Sequence, residues 1–353
     1  MSFRDNIRKV TAYVPGEQPK VVGDLIKLNT NENPYPPSTK VRDAMDKLPI
    51  DDMRLYPDTT AAPLAKALAK YHGIEQNRVF VGVGSDDVLA TCFLTFFAGQ
   101  KPILFPDITY SFYDVWADLY KIPYNTVPLD ENFNIIAADY ERENGGIVIA
   151  NPNAPTSIAA PLSVIEEIIK KNPDSVVIID EAYIDYGGES ALSLLDKYEN
   201  LVIVRTFSKS RAFAGMRIGY AMASKELIDA MNDVKFSINS YTMSCAAINY
   251  GVASVEDDNY FKEMLTKVIN TREWTIAELS KLGFSCPKSS TNFIFATHDT
   301  IPAAEIFEFL KSRNVYVRYF NKPRIDNRLR ITVGTDEQMK RVMDILNEYI
   351  NNK

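Results

Sequence analysis

The chain has 353 residues, a net charge of −7 and an isoelectric point near 5.1. This acidic balance argues against a nucleic-acid or anionic-membrane surface. The length predicts one large domain and a smaller one, because a single hydrophobic core rarely organises so many residues. No apolar run reaches the length of a bilayer span, and the N-terminal segment lacks the apolar stretch of a secretory signal. Three widely spaced cysteines fit a reducing compartment, so we expect a cytoplasmic protein.

Histidine is scarce, since His72 and His298 are the two in the sequence and neither lies near a CxxC or GxSxG motif. A histidine-based zinc site or a Ser-His-Asp triad is therefore poorly supported, and we expect no metal. If the protein is an enzyme, lysine, tyrosine or carboxylate groups must carry its proton transfers.

The first thirty residues are rich in Pro and Asn, which is typical of an extended arm. The segment RVFVGVG (Arg78 to Gly84) then predicts a strand, followed by an apolar helix from Ser85 toward Phe97. Six more short strands are predicted in PILFP, IPYNTVP, GIVIAN, SVVIIDEAY, NLVIVRTFSK and RIGYAMA. Helical patterns such as DVWADLY and PLSVIEEIIKK lie between them. This alternation predicts a mostly parallel sheet covered by helices on both faces.

The pattern changes after about Asn239. Residues 243–282 are mostly helical in pattern, followed by a strand (NFIFAT), a helix (PAAEIFEFLKSR), two strands (VYVRYF and RLRITVG) and a closing helix from Asp336 to Tyr349. We therefore predict an α/β protein with an N-terminal arm (1–30), a large domain (31–240), and an inter-domain helix with a smaller α+β domain (241–353).

Polar residues stand at the ends of several predicted strands, where ligands bind in parallel sheets. They lie at or just beyond the last residue of each strand. Asp180 and Tyr183 do so for VVIID, Thr206, Ser208 and Lys209 for LVIVRT, and Asn151 and Asn153 for GIVIAN. Gly82 to Ser85 form a glycine turn that leads into a helix N-terminus, which suits an anion. A lysine amine that condenses with an aldehyde, a carboxylate beside a pyridine nitrogen and a phenol near a ring oxygen suit pyridoxal 5'-phosphate. Thr206, Ser208 and Arg217 could hold its phosphate.

The segment TFSKSRAFAG (Thr206 to Gly215) follows DEAY (Asp180 to Tyr183) and precedes MRIGY. In this order it resembles the cofactor-lysine segment of the class II branch of fold-type I pyridoxal-phosphate aminotransferases. The resemblance covers nearly the whole chain, from TAYVPGEQ and LNTNENPYPP through RLYPD and GVGSDD to RLRITVGT. Within that family the arm and the terminal segments are most similar to the histidinol-phosphate aminotransferases.

The resemblance implies roles for individual residues. Lys209 would form a Schiff base with pyridoxal 5'-phosphate and shuttle a proton, Asp180 would pair with the pyridinium nitrogen, and Tyr183 would face the ring hydroxyl. Tyr110 would stack on the ring. The cofactor phosphate would be held by the backbone amides of Ser85 and Asp86 and by Ser208 and Arg217, with Thr206 supporting these residues.

Three further residues would bind the substrate's own phosphate or carboxylate, namely Tyr13, Arg318 and Arg330. Tyr56, in RLYPD, would reach the cofactor phosphate from a neighbouring subunit, which implies a homodimer with shared active sites.

One departure from the family pattern falls beside the predicted ring hydroxyl. The family segment NNPTG has an Asn before the Pro that bonds this hydroxyl, whereas this chain has NAPTS, with Ala154 at that position and Ser157 in place of the glycine. Either Asn153 or Asn151 replaces the contact, or Tyr183 makes it alone, and Asn153 is the residue we expect.

The resemblance implies amino transfer between histidinol phosphate and 2-oxoglutarate in histidine biosynthesis, with small molecules rather than nucleic acid or membrane as partners. Two other enzymes share this scaffold, an aromatic amino-acid aminotransferase and threonine-phosphate decarboxylase. A third alternative is a cofactor-binding regulator, but such regulators carry a DNA-binding domain, for which the sequence offers no room before Tyr13.

Overall fold

The structure is a computed structural model that describes residues 2–13, 15–20 and 23–352. Its strands are β1 (Ile26–Lys27), β2 (Val79–Gly82), β3 (Ile103–Pro106), β4 (Tyr124–Val127), β5 (Ile147–Ala150), β6 (Val177–Asp180), β7 (Leu201–Thr206), β8 (Gly219–Ala223), β9 (Phe284–Ser285), β10 (Phe293–His298), β11 (Val315–Tyr316), β12 (Arg318–Tyr319) and β13 (Leu329–Thr332). Its α-helices are α1 (Thr39–Asp46), α2 (Ala62–His72), α3 (Ser85–Phe96), α4 (Tyr113–Tyr120), α5 (Leu162–Lys171), α6 (Lys225–Ile238), α7 (Cys245–Glu256), α8 (Asp258–Lys281), α9 (Ala303–Ser312) and α10 (Asp336–Asn351).

Seven strands form the large sheet, in the order β2-β8-β7-β6-β5-β3-β4. β8 runs antiparallel to β2 and β7, and the other pairs are parallel. Every residue of β5, β6 and β7 is buried, as expected for β-branched strands covered on both faces. The predicted α/β class is confirmed, and all seven strands predicted for this sheet are present.

A second, smaller set of strands lies in the C-terminal part. β12, β13, β10 and β9 form an antiparallel sheet in that order, and β1 from the N-terminal arm pairs in parallel with β11. With α8, α9 and α10 these strands enclose a separate hydrophobic core, to which the arm contributes Ile26 and Leu28. This is the predicted α+β arrangement.

The helices after position 240 divide between the two cores. Ala247 and Ile248 of α7 are buried in the core of the large sheet, against α2. Val268 and Leu279 of α8 belong to the smaller core. The chain thus passes from the core of the large sheet to the smaller core between α7 and the middle of α8. Within the part of the chain that the structure describes, no helix is long and apolar enough to cross a membrane.

The register of the parallel strands brings several loops to one edge of the sheet. Ala150 lies opposite Asp180, and Asp180 lies opposite Val204. Because parallel strands end at the same edge, the segments that follow β5, β6 and β7 converge there.

A buried ion pair joins β6 to β7 just beneath this edge. Arg205 contacts Glu181 at 2.8 Å, and their side chains are 10% and 0% exposed. Ser190 donates to both Glu181 oxygens, and the backbone N–H of Ala191 donates to Oε1 at 2.7 Å. Burial raises the pKa of Glu181, and Arg205 opposes that shift. The pair therefore fixes the strand ends only while both members are present.

We predict that Arg205→Ala lowers the free energy of unfolding by about 3–5 kcal/mol at pH 8, because it leaves the Glu181 charge buried and unpaired. Without Arg205 the raised pKa of Glu181 rises further. An ionised carboxylate with a raised pKa destabilises the folded protein above that pKa, so the deficit should shrink as the pH falls toward 5. Urea unfolding of the cofactor-loaded protein at several pH values measures it.

The double variant Glu181→Gln/Arg205→Met is the control, since it removes both charges and should lose less than Arg205→Ala alone. If Arg205→Ala lowers the free energy of unfolding equally at pH 5 and pH 8, lost packing is the cause, rather than the unpaired charge of Glu181.

Candidate active site

A cavity of about 170 Å³ opens at the convergent edge of the large sheet. It is lined by Thr30, Glu32, Ser85, Asp86, Tyr110, Ala150, Pro152, Ala154, Asp180, Ala182, Tyr183, Thr206, Ser208, Lys209, Ala214 and Arg217. These residues come from the N-terminal arm, the start of α3 and the loops after β3, β5, β6 and β7. The structure thus brings together nine of the residues singled out in the sequence.

Lys209 lies in the loop after β7 with its amine in the cavity. Its Nζ donates to the carbonyl oxygen of Thr30 at 3.3 Å and lies 5.8 Å from the centre of the Tyr183 ring. Neither contact neutralises the amine by an ion pair. A primary amine held in this way is available to attack an aldehyde.

Asp180 ends β6 and is 5% exposed. Its Oδ2 accepts a hydrogen bond from the Tyr113 hydroxyl at 2.8 Å, and Oδ1 accepts from the backbone N–H of Ala182 at 3.2 Å. Burial raises the pKa of Asp180 to about 6 despite these two bonds. A buried carboxylate without a cationic partner in the described residues suits a ligand that brings a positively charged N–H group.

A guanidinium group lies beside the start of α3. Arg217 contacts Asp86 at 3.3 Å, and the Tyr110 hydroxyl donates to the other Asp86 oxygen at 2.8 Å. Gly84, just before the helix, has φ of +88°, and a Cβ there would lie 2.6 Å from Arg217 Nη2. The absence of a side chain at Gly84 therefore lets the guanidinium approach the free N–H groups at the helix N-terminus.

Hydroxyl groups complete this side of the cavity. The backbone N–H of Ser208 donates to Thr206 Oγ1 at 3.1 Å, which fixes the turn between β7 and Lys209. Burial raises the pKa of Tyr110 well above its ordinary value, and Asp86 adds to the shift, so its hydroxyl stays protonated.

Tyr183 forms the opposite wall. Its ring packs edge-on against Phe293, at 5.2 Å between centroids. Its hydroxyl accepts a hydrogen bond from Asn31 Nδ2 at 2.9 Å. The phenol is thus held by residues of the arm and of β10, outside the large sheet.

The asparagines that could replace the residue lost at Ala154 do not reach the cavity. Asn153 Nδ2 donates to the Ile108 carbonyl and to Thr156, and its Oδ1 accepts from Thr109. Asn151 is bonded through both side-chain atoms to the backbone of residue 160. The structure therefore differs from the expectation for Asn153, because these bonds hold its amide within the loop while the Ala154 methyl lines the cavity.

Two arginines lie together beyond Tyr183. Arg330 Nη2 donates to the Asn29 carbonyl at 2.8 Å, whereas its buried Nε has no hydrogen-bond partner. Burial lowers the pKa of Arg330, and nearby Arg318 lowers it further. Neither guanidinium has a carboxylate partner among residues 2–13, 15–20 and 23–352. Tyr13 stacks on Phe112 at 4.1 Å and lies near enough to influence Arg330.

Tyr56 lies outside the cavity in this single chain. Its side chain is 81% exposed and stacks on Tyr241 at 4.4 Å. Exposed apolar residues surround this pair in sequence, namely Ile50, Met53, Leu55 and Ile238.

Sequence reasoning missed four polar residues of the site. Tyr113 stands three positions after Tyr110, across the turn that leads into α4, and it begins the predicted helical segment that contains DVWADLY. Thr30, Asn31 and Glu32 lie in an extended segment, where spacing carries no such signal. Glu32 binds Lys27 at 2.6 Å and accepts from Thr30 at 2.9 Å. Burial raises the pKa of Glu32, but the bonds from Lys27 and Thr30 outweigh it, so the net shift is downward.

The chemistry of the cavity fits pyridoxal 5'-phosphate. It offers a primary amine at Lys209, a buried carboxylate at Asp180 for a pyridinium nitrogen, and a helix N-terminus with Arg217 for a phosphate. The buried Asp180 carboxylate is otherwise costly, and a cationic ligand group would relieve that cost.

Comparison with known proteins gives the same result. The pattern of the family described as aminotransferase class I and II matches residues 23–346. The chain is 51% identical over 353 residues to the histidinol-phosphate aminotransferase of Lactococcus lactis subsp. cremoris, covering 100% of this chain and 99% of the relative. It is also 51% identical over 348 residues to the histidinol-phosphate aminotransferase of Acinetobacter baylyi, covering 98% and 96%.

Solved structures share the fold. The histidinol-phosphate aminotransferase of Clostridium acetobutylicum superposes with a TM-score of 0.85 at 23% identity, covering 93% of this chain and 100% of that one. The enzyme of Sinorhizobium meliloti, solved in complex with pyridoxal 5'-phosphate, gives 0.83 at 23% identity, covering 93% and 91%. The cofactor of this protein is pyridoxal 5'-phosphate, and the protein is an aminotransferase. The chain belongs to the class I and II aminotransferases, in the group of the histidinol-phosphate aminotransferases.

Proposed function

We propose that this enzyme transfers an amino group between histidinol phosphate and 2-oxoglutarate, and thus from glutamate to imidazole-acetol phosphate in the biosynthesis of histidine. The observation that carries the proposal is the arginine pair near the cavity. Arg330 has a buried Nε without a partner, and Arg318 lies beside it. Two adjacent guanidinium groups without a carboxylate in the described chain suit an anion, and a substrate phosphate supplies one.

The bound cofactor supplies an electron sink and carries the amino group between the two substrates. Lys209 Nζ would hold the cofactor covalently, and its amine would take and return the proton at the substrate Cα. Asp180 would accept a hydrogen bond from the cofactor's pyridine nitrogen and favour the charged form of that nitrogen. Tyr183 would donate to the ring oxygen, and Tyr110 would pack on the ring face.

The cofactor phosphate would be bound by groups around the N-terminus of α3, which are the backbone of Ser85 and Asp86, the hydroxyl of Ser208, and Arg217. Thr206 would support them, since its hydroxyl accepts from the backbone N–H of Ser208. Asp86 orients Arg217 and Tyr110 at once, through the contacts at 3.3 and 2.8 Å. Asn153 acts indirectly, by holding the loop that presents Ala154 to the cavity.

The two ends of the substrate are recognised separately. Arg330, Arg318 and Tyr13 bind the phosphate. Glu32 lines the cavity on the arm side, where its carboxylate can accept a hydrogen bond from an imidazole N–H. A phenyl ring has no such donor, so this contact favours histidinol phosphate over phenylalanine.

We also propose a homodimer in the cytoplasm, in which Tyr56 of each chain reaches the cofactor phosphate of the other. Tyr56 is 81% exposed, and apolar neighbours at Ile50, Met53 and Leu55 are more than half exposed. Contiguous exposed apolar side chains of this kind are typical of a surface that a second chain covers.

A substrate panel tests the proposed reaction. With 2-oxoglutarate as acceptor, we expect kcat/KM for histidinol phosphate to exceed that for phenylalanine and tyrosine by about tenfold or more, since only this substrate uses both ends of the site. Threonine phosphate should release no CO₂. Lys209→Ala is the control, and should lose turnover together with the absorbance band of the covalently held cofactor. A higher kcat/KM for an aromatic amino acid would refute the substrate and leave the reaction class standing.

The role of Glu32 has its own test. Glu32→Ala should lower kcat/KM for histidinol phosphate by about 10- to 100-fold, the range for losing a hydrogen bond to a charged group, and should change the value for phenylalanine much less. Lys27→Met is the matched control, because it removes the ion-pair partner of Glu32 and keeps the carboxylate. Equal losses in both variants, for both substrates, would show that the ion pair merely stabilises the arm.

Mixed dimers test the proposed sharing of the site. Tyr56→Ala and Lys209→Ala chains, each defective alone, should regain activity after unfolding and refolding together, since each mixed dimer then contains one site with both residues intact. Light scattering should show a dimer before mixing. A monomer, or a mixture no more active than its components, would contradict the shared site.

A further inference from the structure

Asn31 is buried in the arm and holds the hydroxyl of Tyr183. Asn31 is 2% exposed, and its Nδ2 donates to the phenol oxygen at 2.9 Å. Residue 31 has no role in the reaction described so far, although its amide lies one hydrogen bond from the cavity wall.

The surrounding bonds fix which way this amide faces. The backbone N–H of Asn31 donates to Thr332 Oγ1 at 3.0 Å, so the Thr332 hydroxyl keeps its own hydrogen and donates it to Asn31 Oδ1 at 3.1 Å. Asn292 Nδ2 donates to the Asn31 carbonyl at 2.9 Å. With Oδ1 bound to Thr332, the NH₂ group must face Tyr183.

This orientation leaves the phenol hydrogen free. An oxygen that accepts from Asn31 donates its own hydrogen elsewhere, and in the described chain no hydrogen bond is donated by the Tyr183 hydroxyl. The remaining direction is the cavity, which Tyr183 lines. On the neighbouring loop, Pro152 and Ala154 line the cavity without a side-chain donor, and both nearby asparagines are bonded elsewhere.

We infer that Asn31 is a positioning residue that directs the Tyr183 hydroxyl at the ring oxygen of the cofactor, and that this chain depends on that bond because Ala154 provides none. The inference rests on the role proposed above for Tyr183. A bond received from Asn31 also polarises the phenol and makes it a stronger donor.

The effect can be read from the protonation of the nitrogen that joins Lys209 to the cofactor. Donors to the ring oxygen withdraw electron density from the conjugated system and make that nitrogen less basic. Asn31→Ala should therefore raise, by about one pH unit, the midpoint at which the absorbance band of the bound cofactor changes. Ala154→Asn adds a donor and should lower the midpoint.

The test is a set of absorbance titrations of cofactor-loaded protein without substrate, which makes it independent of the substrate proposal. The variants are Asn31→Ala, Tyr183→Phe, Ala154→Asn, and Asn31→Ala combined with each of the other two. The shift caused by Asn31→Ala should vanish in the Tyr183→Phe background and shrink in the Ala154→Asn background. A merely structural role would give the same shift in all three backgrounds and would overturn the inference, as would no shift in the wild-type background.

Should Asn31→Ala fail to fold, Thr332→Val removes the hydroxyl that orients the amide and should shift the midpoint in the same direction by a smaller amount. An unchanged midpoint in Thr332→Val would count against the inference. A cofactor band that is the same in wild-type protein and in Lys209→Ala would instead refute the proposed attachment at Lys209, so the two failures are distinguishable.

Discussion

The parallel register of β5, β6 and β7 is the constraint on which the rest of the site depends. It sets Ala150, Asp180 and Val204 side by side across three strands. Loops that begin within one or two residues of this row carry Ala154, Tyr183 and Lys209 into one cavity. A slip of one residue in β6 would turn Asp180 to the other face of the sheet and remove the carboxylate from the site.

The adjacent carboxylates on this strand show how the chain separates stability from function. Glu181 has a cationic partner in Arg205 and also accepts from Ser190 and the N–H of Ala191. Asp180 receives only two neutral donors, and its pKa is raised to about 6 by burial. Because successive strand residues point to opposite faces, the two charges lie in different surroundings. One buried carboxylate is thus paired within the protein, whereas the other has no cationic partner in the described residues.

Much of the architecture could be predicted because its signals are local. The β-branched runs of the large sheet mark buried parallel strands, and their polar ends mark the ligand edge. The α-helices α1 and α6 lie outside the segments for which the sequence predicts helices. The direction of the Asn153 amide could not be predicted either, since composition identifies a donor and not the three partners that occupy it.

The arm was the least predictable part of the site because its contacts are distant in sequence. Asn31 meets Tyr183 across 152 positions and Thr332 across 301. The hydrophobic periodicity of a sequence gives no information on contacts between such distant positions, and the segment around Asn31 forms little regular secondary structure of its own. Conversely, the resemblance to known aminotransferases identified Lys209, Asp180 and Arg217 as members of one site, and the structure places all three around the same cavity.

One strand of the smaller sheet serves two parts of this site. Arg330 and Thr332 are two residues apart on β13 and so lie on the same face. Arg330 is the proposed seat of the substrate anion, and Thr332 orients the amide that holds Tyr183. The residue proposed to bind the substrate anion and the residue that orients the support of the phenol therefore belong to one strand, so the spacing between these two parts of the site is set by the backbone of β13.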